Sequence, residues 1–482
     1  MLLYWETAKI LKGKGRGKCM GEYKKMNFIN RILYNKKLGI ILSILQLVIT
    51  ILFLGLIINL NIIPNKYLIP SVGILLFFEG ITLFTQLSTK GRRSGKIFSL
   101  LICFILGLGS SYLYKTQTVL ADISGISTKI DDVSIIVLKE DPAEYLEDLA
   151  DYLFGIQETI DRENTDKTIE QINKDLETEI KIQTFSDFGT QVEALYNKEV
   201  GAIILNEAYR GTIREIYEDF DERTKVITGH KIETPVVVEP SDKEVLVDSF
   251  NVYISGIDTY GSIRTTSRSD VNIIATVNPK TKKILLTTTP RDYYVPFPIS
   301  GGMRDKLTHA GVYGIDVSIG TLEELYDIDI DYYARVNFTS LIKMVDVLGG
   351  ITVNSEYAFN AGGFSFNKGI NHLNGEQALA FSRERKSFAT GDNQRGKNQM
   401  EVIKGMINKA LSPSIIINYN AIMNSLAGSI DTNMTTSEIT SLIKMQINDM
   451  SPWDIETNNV VGTGTMETTY TYKSTPLYVM IP

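Results

Sequence analysis

The chain has 482 residues, a mean hydropathy of zero and a formal charge of −7. Its length suggests two or three domains, and near-zero hydropathy with an acidic balance suggests a membrane piece joined to a soluble one. No basic recognition helix is visible, which argues against a nucleic-acid-binding protein.

The Lys- and Gly-rich start, to about Lys25, reads as a disordered tail, with Met20 and Met26 as alternative initiators. Three apolar runs follow. Leu38 to Leu60 and Ile97 to Tyr114 carry no charge, and Tyr67 to Leu87 carries only Glu79. Each is long enough to cross a bilayer. Ten Lys or Arg precede Leu38, and the second connector holds Lys90, Arg92, Arg93 and Lys96, whereas the first holds only Lys66. By the positive-inside rule the N-terminus and second connector are cytoplasmic, so everything after about Lys115 lies outside. No single short apolar region followed by a small-residue cleavage site is present, which favours a three-span anchor over a cleaved signal peptide. Glu79 is expected to pack against a neighbour or be protonated rather than to serve a function. Cys19 falls in the tail and Cys103 in the third span. The exported part therefore has no disulfide and depends on core packing.

Asp131 to Glu244 holds 29 acidic and 12 basic residues, a formal charge of −17, whereas Phe250 to the end is at −2. Two exported domains are the simplest account, with a boundary near Pro235 to Asp242. The organisation is then a basic tail (1–37), three spans (38–115), an acidic accessory domain (116–244) and a second domain (245–482). The acidic segment reads as strand "VSIIVLKE", a helix from Pro142 to about Gly155, a polar charged stretch, strand "EIKIQTF", helix "FGTQVEALYNK", strand "VGAIILN" and a helix ending near Asp219. This alternation suggests a small α/β layer structure. It has no His or Cys cluster and no phosphate loop, so it reads as a spacer or interaction module.

The second domain opens with "NVYISGID", "DVNIIATVN" and "KKILLTTTPRD", the last two joined by the turn "NPKTKK". As a meander these strands bring Asp258, Arg268, Asp270, Arg291 and Asp292 to one sheet edge, with Arg264 just ahead of the second strand. Helices "YGIDVSIGTLEELYDI" and "FTSLIKMVDVLGG" flank a strand "DYYARVNF"; a further helix breaks at Gly391, and a longer one starts with Asp392 as N-cap. The fold expected is a layered α/β (αβα) domain on a central mixed sheet, preceded by the small α/β domain and three transmembrane helices.

Two neighbouring carboxylates, Asp258 and Asp270, suit a hard divalent cation such as Mg²⁺, with ordinary salt bridging to Arg268 or Arg264 as the alternative. Arginine forks suit phosphate. Arg383 and Arg385 share a face only if "FSRERK" is extended. Arg395 and Gln399 share a helical face, with Arg395 in a first turn that favours an anion. For any one arginine a surface salt bridge is the alternative. His230, His309 and His372 have neither a cysteine partner nor metal-ligand spacing, and His309 reads as a capping or core-edge residue. An oxyanion-type hydrolase is thus unsupported.

"SRSDVNIIATVNPKTKKILLTTTPRD", "DKLTHAGVYG", "YYARVNFTSLIKMVDVLGGITV" and "LNGEQALAFSRERKSFATGDNQRGKNQ" resemble the ordered motifs of the LytR-CpsA-Psr family, from about Phe250 to Leu411. The three-span anchor and intervening domain resemble its capsule-associated members. The resemblance implies a phosphotransferase that moves a glycopolymer, such as capsular polysaccharide, from a polyprenyl-pyrophosphate carrier to peptidoglycan, at the cell membrane and in contact with other capsule-assembly proteins. It implies Asp258 and Asp270 as Mg²⁺ ligands and Arg268, Arg291, Arg383, Arg385 and Arg395 as pyrophosphate-binding residues, beside Gln394 and Gln399. Tyr260 and Asn398 stand where many members have arginines, leaving fewer charges on the pyrophosphate. Phe338, Leu341, Ile342, Val345, Ile403 and Ile407 are candidates for a polyprenyl groove. A non-enzymatic regulator and a lipid pyrophosphatase are the competing readings.

Overall fold

The computed structural model of the chain describes residues 33–88, 90–124, 128–235, 241–412 and 419–482. The tail with Cys19, Met20 and Met26, and the middle of the Pro235 to Asp242 boundary, lie outside the described residues. The chain divides into a compact unit holding residues 1–117 and 443–448 and a second holding 118–442 and 449–482.

The first unit holds helices α1 (Lys36–Leu60) and α2 (Asn65–Leu87) and most of α3 (Arg92–Ile123), each long and apolar enough to cross a membrane. Their outward residues, such as Ile51, Leu52, Phe77, Phe84 and Phe104, are apolar and exposed, while Ser43, Gln46, Glu79 and Thr82 are buried. Thr82 donates to Gln46 Oε1 at 3.0 Å. This inside-out pattern is what hydrocarbon selects.

The second unit begins with a five-stranded sheet of β1 (Thr128–Leu138), β2 (Leu153–Gln157), β3 (Lys181–Phe185), β4 (Ala202–Asn206) and β5 (Thr224–Pro235), in the order β3-β2-β4-β1-β5. Here β2 runs parallel to β3 and β4, and β1 antiparallel to β4 and β5. Helices α4 (Arg162–Leu176), α5 (Phe188–Tyr196) and the short α6 (Arg210–Ile213) connect them.

Three expectations change. The helix anticipated from Pro142 is a single 3-10 turn, Leu146–Leu149, followed by strand β2, whose Phe154 and Ile156 are fully buried. Asp148 caps the start of that turn, accepting from the amides of Glu144 and Tyr145. The polar stretch after it is helix α4, whose inner face is Thr165, Thr168 and Ile172, too polar to show as an apolar period. The helix expected to end near Asp219 is broken into short pieces, after which β5, unread in the sequence, covers the free edge of β1.

The second sheet holds β6 (Phe250–Ile257), β7 (Ser269–Asn278) and β8 (Lys283–Thr288), an antiparallel meander as expected. The hairpin turns on Lys282, at φ 53°, with Asn278 Oδ1 accepting from the Thr281 amide at 3.0 Å. Helices α7 (Leu307–Tyr313) and α8 (Ile315–Tyr326) lead to β9 (Tyr332–Asn337), which joins β6 in parallel. Then come α9 (Phe338–Val347), α10 (Gly375–Arg383) and α11 (Asp392–Ala410). Two late strands, β10 (Asp431–Thr432) and β11 (Asp454–Asn459), complete the order β10-β9-β6-β7-β8-β11.

Period-two alternation decides the layers. Ile274 and Tyr253 face Leu307 and Leu322 of α7 and α8, while Ile273, Ala275 and Leu286 face Met400 and Ile403 of α11. The result is an αβα sandwich on a mixed sheet. Although the two segments differ sharply in charge, they share a core: Phe188, Tyr209 and Ile213 of the acidic segment pack with Val312, Tyr472 and Leu477.

Candidate active site

At the edge where β6 ends and β7 begins, the chain opens a cavity of about 780 Å³. A register shift at Gly256/Ile257 terminates β6 and turns Asp258 inward, its amide held by the Arg268 carbonyl at 3.2 Å. The start of β7 is fixed by a buried network in which Tyr253 donates to Asn272 Oδ1 at 2.6 Å and the Ser255 and Ser269 hydroxyls meet at 2.8 Å. Helix α7 packs against this point. Its Thr308 amide donates to the Arg291 carbonyl at 2.8 Å and its hydroxyl to Asp270 Oδ1 at 3.1 Å.

The charges are interlocked. Arg268 donates to Asp258 Oδ2 and to Glu215 Oε1, both at 2.8 Å. Arg291 donates to Asp270 Oδ2 at 2.9 Å. Arg395 Nη2 lies 2.6 Å from Asp392 Oδ1, and Lys306 Nζ lies 2.6 Å from Glu215 and 3.4 Å from Asp292. Burial pushes the Asp270 carboxyl up, but Arg291, Arg395 and Arg268 outweigh it and hold the group well below the usual carboxylate range. Burial and the neighbouring Arg291 lower Arg395 from its ordinary value; arginine stays charged regardless. Burial raises the Asp392 carboxyl, against the pull of Arg395 and Arg291.

Arg383 and Arg385 enter from the end of α10. Arg383 is the last helical residue and Glu384 is extended, so "SRER" is a helix exit rather than one extended strand. The break at Glu384 lets both side chains line the cavity. The Arg383 guanidinium lies 4.3 Å from the centre of the Phe338 ring and 3.9 Å from Asp258 Oδ1. Gly391, at φ 52°, is the N-cap of α11, displacing the expected Asp392 to the first helical position, where it pairs with Arg395 one turn on.

Of the residues read from the sequence, Asp258, Arg268, Asp270, Arg291, Arg383, Arg385, Arg395, Gln399, Phe338, Leu341 and Ile403 line the cavity. Arg264 does not. Gln394 bonds Asn398 at 3.2 Å and lines a separate polar cleft. Ile342 backs onto Gly375, Val345 lies in the core between α9, α10 and α11, and Ile407 packs under the sheet. Tyr260 is exposed and edge-on to Phe338 at 5.1 Å, and Asn398 is buried. His309 is fully buried, with Nδ1 2.7 Å from Asp305. It is a core residue rather than a cap. Lys306 and Glu215 were missed. Lys306 sits in the quoted "DKLTHAG" segment, but Glu215 arrives by a tertiary contact that no local pattern announces.

Arginines, Lys306 and the five carboxylates Glu215, Glu218, Asp258, Asp270 and Asp292 thus share one cavity with an apolar wall that includes Ile254, Val271, Val336, Leu379 and Val402. The site lies on an αβα domain and combines charged side chains with an apolar wall. A model of the LytR_cpsA_psr family matches residues 210–478, more than half of the chain, and the protein belongs to that family. Among similar proteins is a "Polyisoprenyl-teichoic acid--peptidoglycan teichoic acid transferase TagU" of Bacillus licheniformis, 39% identical over 193 residues, covering 40% of this chain and 62% of the relative. The protein of that name from Bacillus subtilis is 36% identical over 228 residues, 46% of this chain and 69% of the relative. The crystal structure of B. subtilis TagU aligns at 33% identity and a TM-score of 0.38 over 48% of this chain and 90% of that one.

Proposed function

We propose that the protein transfers a glycopolymer from a polyprenyl-diphosphate carrier to a peptidoglycan hydroxyl and releases the polyprenyl phosphate. The observation that carries this is the meeting, in one cavity, of Arg268, Arg291, Arg383, Arg385, Arg395 and Lys306 with an apolar wall. A diphosphate bearing a long apolar chain is the ligand that uses both halves. The names of the similar transferases support it. Capsular polysaccharide is the polymer proposed, by resemblance to capsule-associated members, with other capsule-assembly proteins as partners.

Asp258 and Asp270 would hold Mg²⁺: both are hard oxygen donors lining the same cavity, and each has one oxygen, Asp258 Oδ2 and Asp270 Oδ2, accepting from an arginine. The remaining ligands would be phosphate oxygens and water. When bound, Mg²⁺ would neutralise charge on the diphosphate. The chain's own residues do the rest. Guanidinium forks would hold the non-bridging oxygens so that the acceptor hydroxyl and the lipid phosphate oxygen lie in line across the phosphorus; the hydroxyl oxygen bonds to phosphorus, the bond to the lipid phosphate oxygen breaks, and the hydroxyl proton passes to solvent. The basic residues before Leu38 and between the second and third spans support an external cavity.

The test is transfer of a short lipid-diphosphate glycan to peptidoglycan by the detergent-solubilised protein. Arg383→Ala and Arg385→Ala should each slow transfer on the order of 10² to 10³ fold, the effect of losing one preorganised donor. Asp270→Asn should remove the Mg²⁺ dependence. Wild-type rates in both arginine variants would favour the non-enzymatic regulator. In a separate experiment, protease added to intact protoplasts should remove the part after Lys115; its protection would reverse the orientation.

A further inference from the structure

One wall of the cavity comes from the acidic module: Gly211, Arg214, Glu215, Ile216 and Glu218. The segment is held firmly. Tyr209 stacks on Phe188 with ring centres 4.6 Å apart, Ile213 is fully buried, and the Tyr472 hydroxyl donates to Thr212 at 3.3 Å. Arg268 lies flat on bare backbone at Gly211, where a Cβ would sit 2.9 Å from its Nε, and it also donates to the Gly211 carbonyl at 3.3 Å. Glu215 spends one oxygen on each of two cations, Oε1 on Arg268 and Oε2 on Lys306. A phosphate group would bridge two such cations in the same way. Both residues line the cavity, the Lys306 side chain 7% exposed and that of Glu215 21%.

We propose that Glu215 is an internal occupant of the phosphate subsite: the module's carboxylate neutralises Arg268 and Lys306 and competes with a phosphate group for them. This rests on the reading of the cavity as a diphosphate site. It makes Glu215 a residue that sets affinity, and it gives the acidic module a role in the chemistry of the cavity. Burial opposes the charge on Glu215, but His309, Lys306 and Arg268 hold its carboxyl down at about 2, so it is a fixed anion at physiological pH.

The consequence is a sign. Were Glu215 only a strut, its loss would weaken anion binding; as a competitor, its loss strengthens it. The experiment is calorimetric titration of the full-length, detergent-solubilised protein with inorganic pyrophosphate in metal-free buffer, so that the protein's own cations are read. Glu215→Gln should bind about tenfold tighter or more than wild type, since one repelling charge beside the anion is gone. Glu215→Asp keeps the charge and should stay near wild type. Glu215→Gln binding no tighter than wild type overturns the inference, as does Glu215→Asp tightening equally, provided both variants melt within a few degrees of wild type. Pyrophosphate that binds neither wild type nor variants overturns the diphosphate reading itself, and this inference with it.

Discussion

Asp161 sits in the left-handed region at φ 54° and accepts hydrogen bonds from Asn206 at 2.9 Å and Asn164 at 2.7 Å. Burial, aided by the neighbouring Asp131, raises its carboxyl to about 6. A carboxylate raised on folding contributes stability that is fully present below its unfolded value and lost as pH rises through the folded one. Asp270 and Glu215, held low, work the other way: their contribution is present above the unfolded value and lost only in acid. The protein should therefore be more stable near pH 5 than at pH 7.5, and Asp161→Asn should recover on the order of 2 kcal/mol at the higher pH. Thermal melts across that range decide it; a variant with the wild-type slope would clear Asp161. The residue scale also marks the limits of sequence reading. Asp258, Arg268, Asp270 and Arg291 were legible because a meander is local and its strand ends must meet. Gln394 was misplaced because one residue from Arg395 on a helix is about 100° around it.

Elements were legible where period and length agreed, as for β6 to β8, α8 and α11. They failed where polar residues made an inner face, as in α4, and where the run from Pro142 formed only a single 3-10 turn. How closely α7 approaches β7 was also invisible, although the cavity depends on it. A Cβ at Gly311 would stand 2.7 Å from the Ser269 amide nitrogen and 2.9 Å from the Ser267 carbonyl, both backbone atoms that cannot swing aside. Gly311→Ala should push α7 off β7, pull Thr308 from Asp270, and cost about 1 to 3 kcal/mol of stability. Pyrophosphate affinity should fall with it. Gly405→Ala is the control, since its Cβ would meet the Thr352 carbonyl at 2.8 Å, outside the residues that line the cavity. It should lower the melting temperature and spare binding. Equal loss of binding in both variants would mean that the cavity responds to stability alone.

At the scale of the whole second unit, the contrast of −17 against −2 suggested two domains, but charge lies on surfaces and says nothing about which apolar faces meet. Phe188, Tyr209 and Ile213 share their core with Val312, Tyr472 and Leu477, and Glu215 anchors Arg268 and Lys306 from across the same seam. A core so shared should make the two sheets unfold together. Trp453 packs beneath the second sheet and reports on it, once Trp5 in the tail is replaced by Phe. Tyr209→Ala, made entirely within the acidic segment, removes a 2% exposed ring and should destabilise by about 3 to 5 kcal/mol. If the sheets are coupled, the Trp453 fluorescence transition moves down by as much as the circular-dichroism transition, and the two coincide. A Trp453 transition left in place beside a lower separate phase would show two independent domains, and Glu215 would then reach the cavity from a body free to leave it.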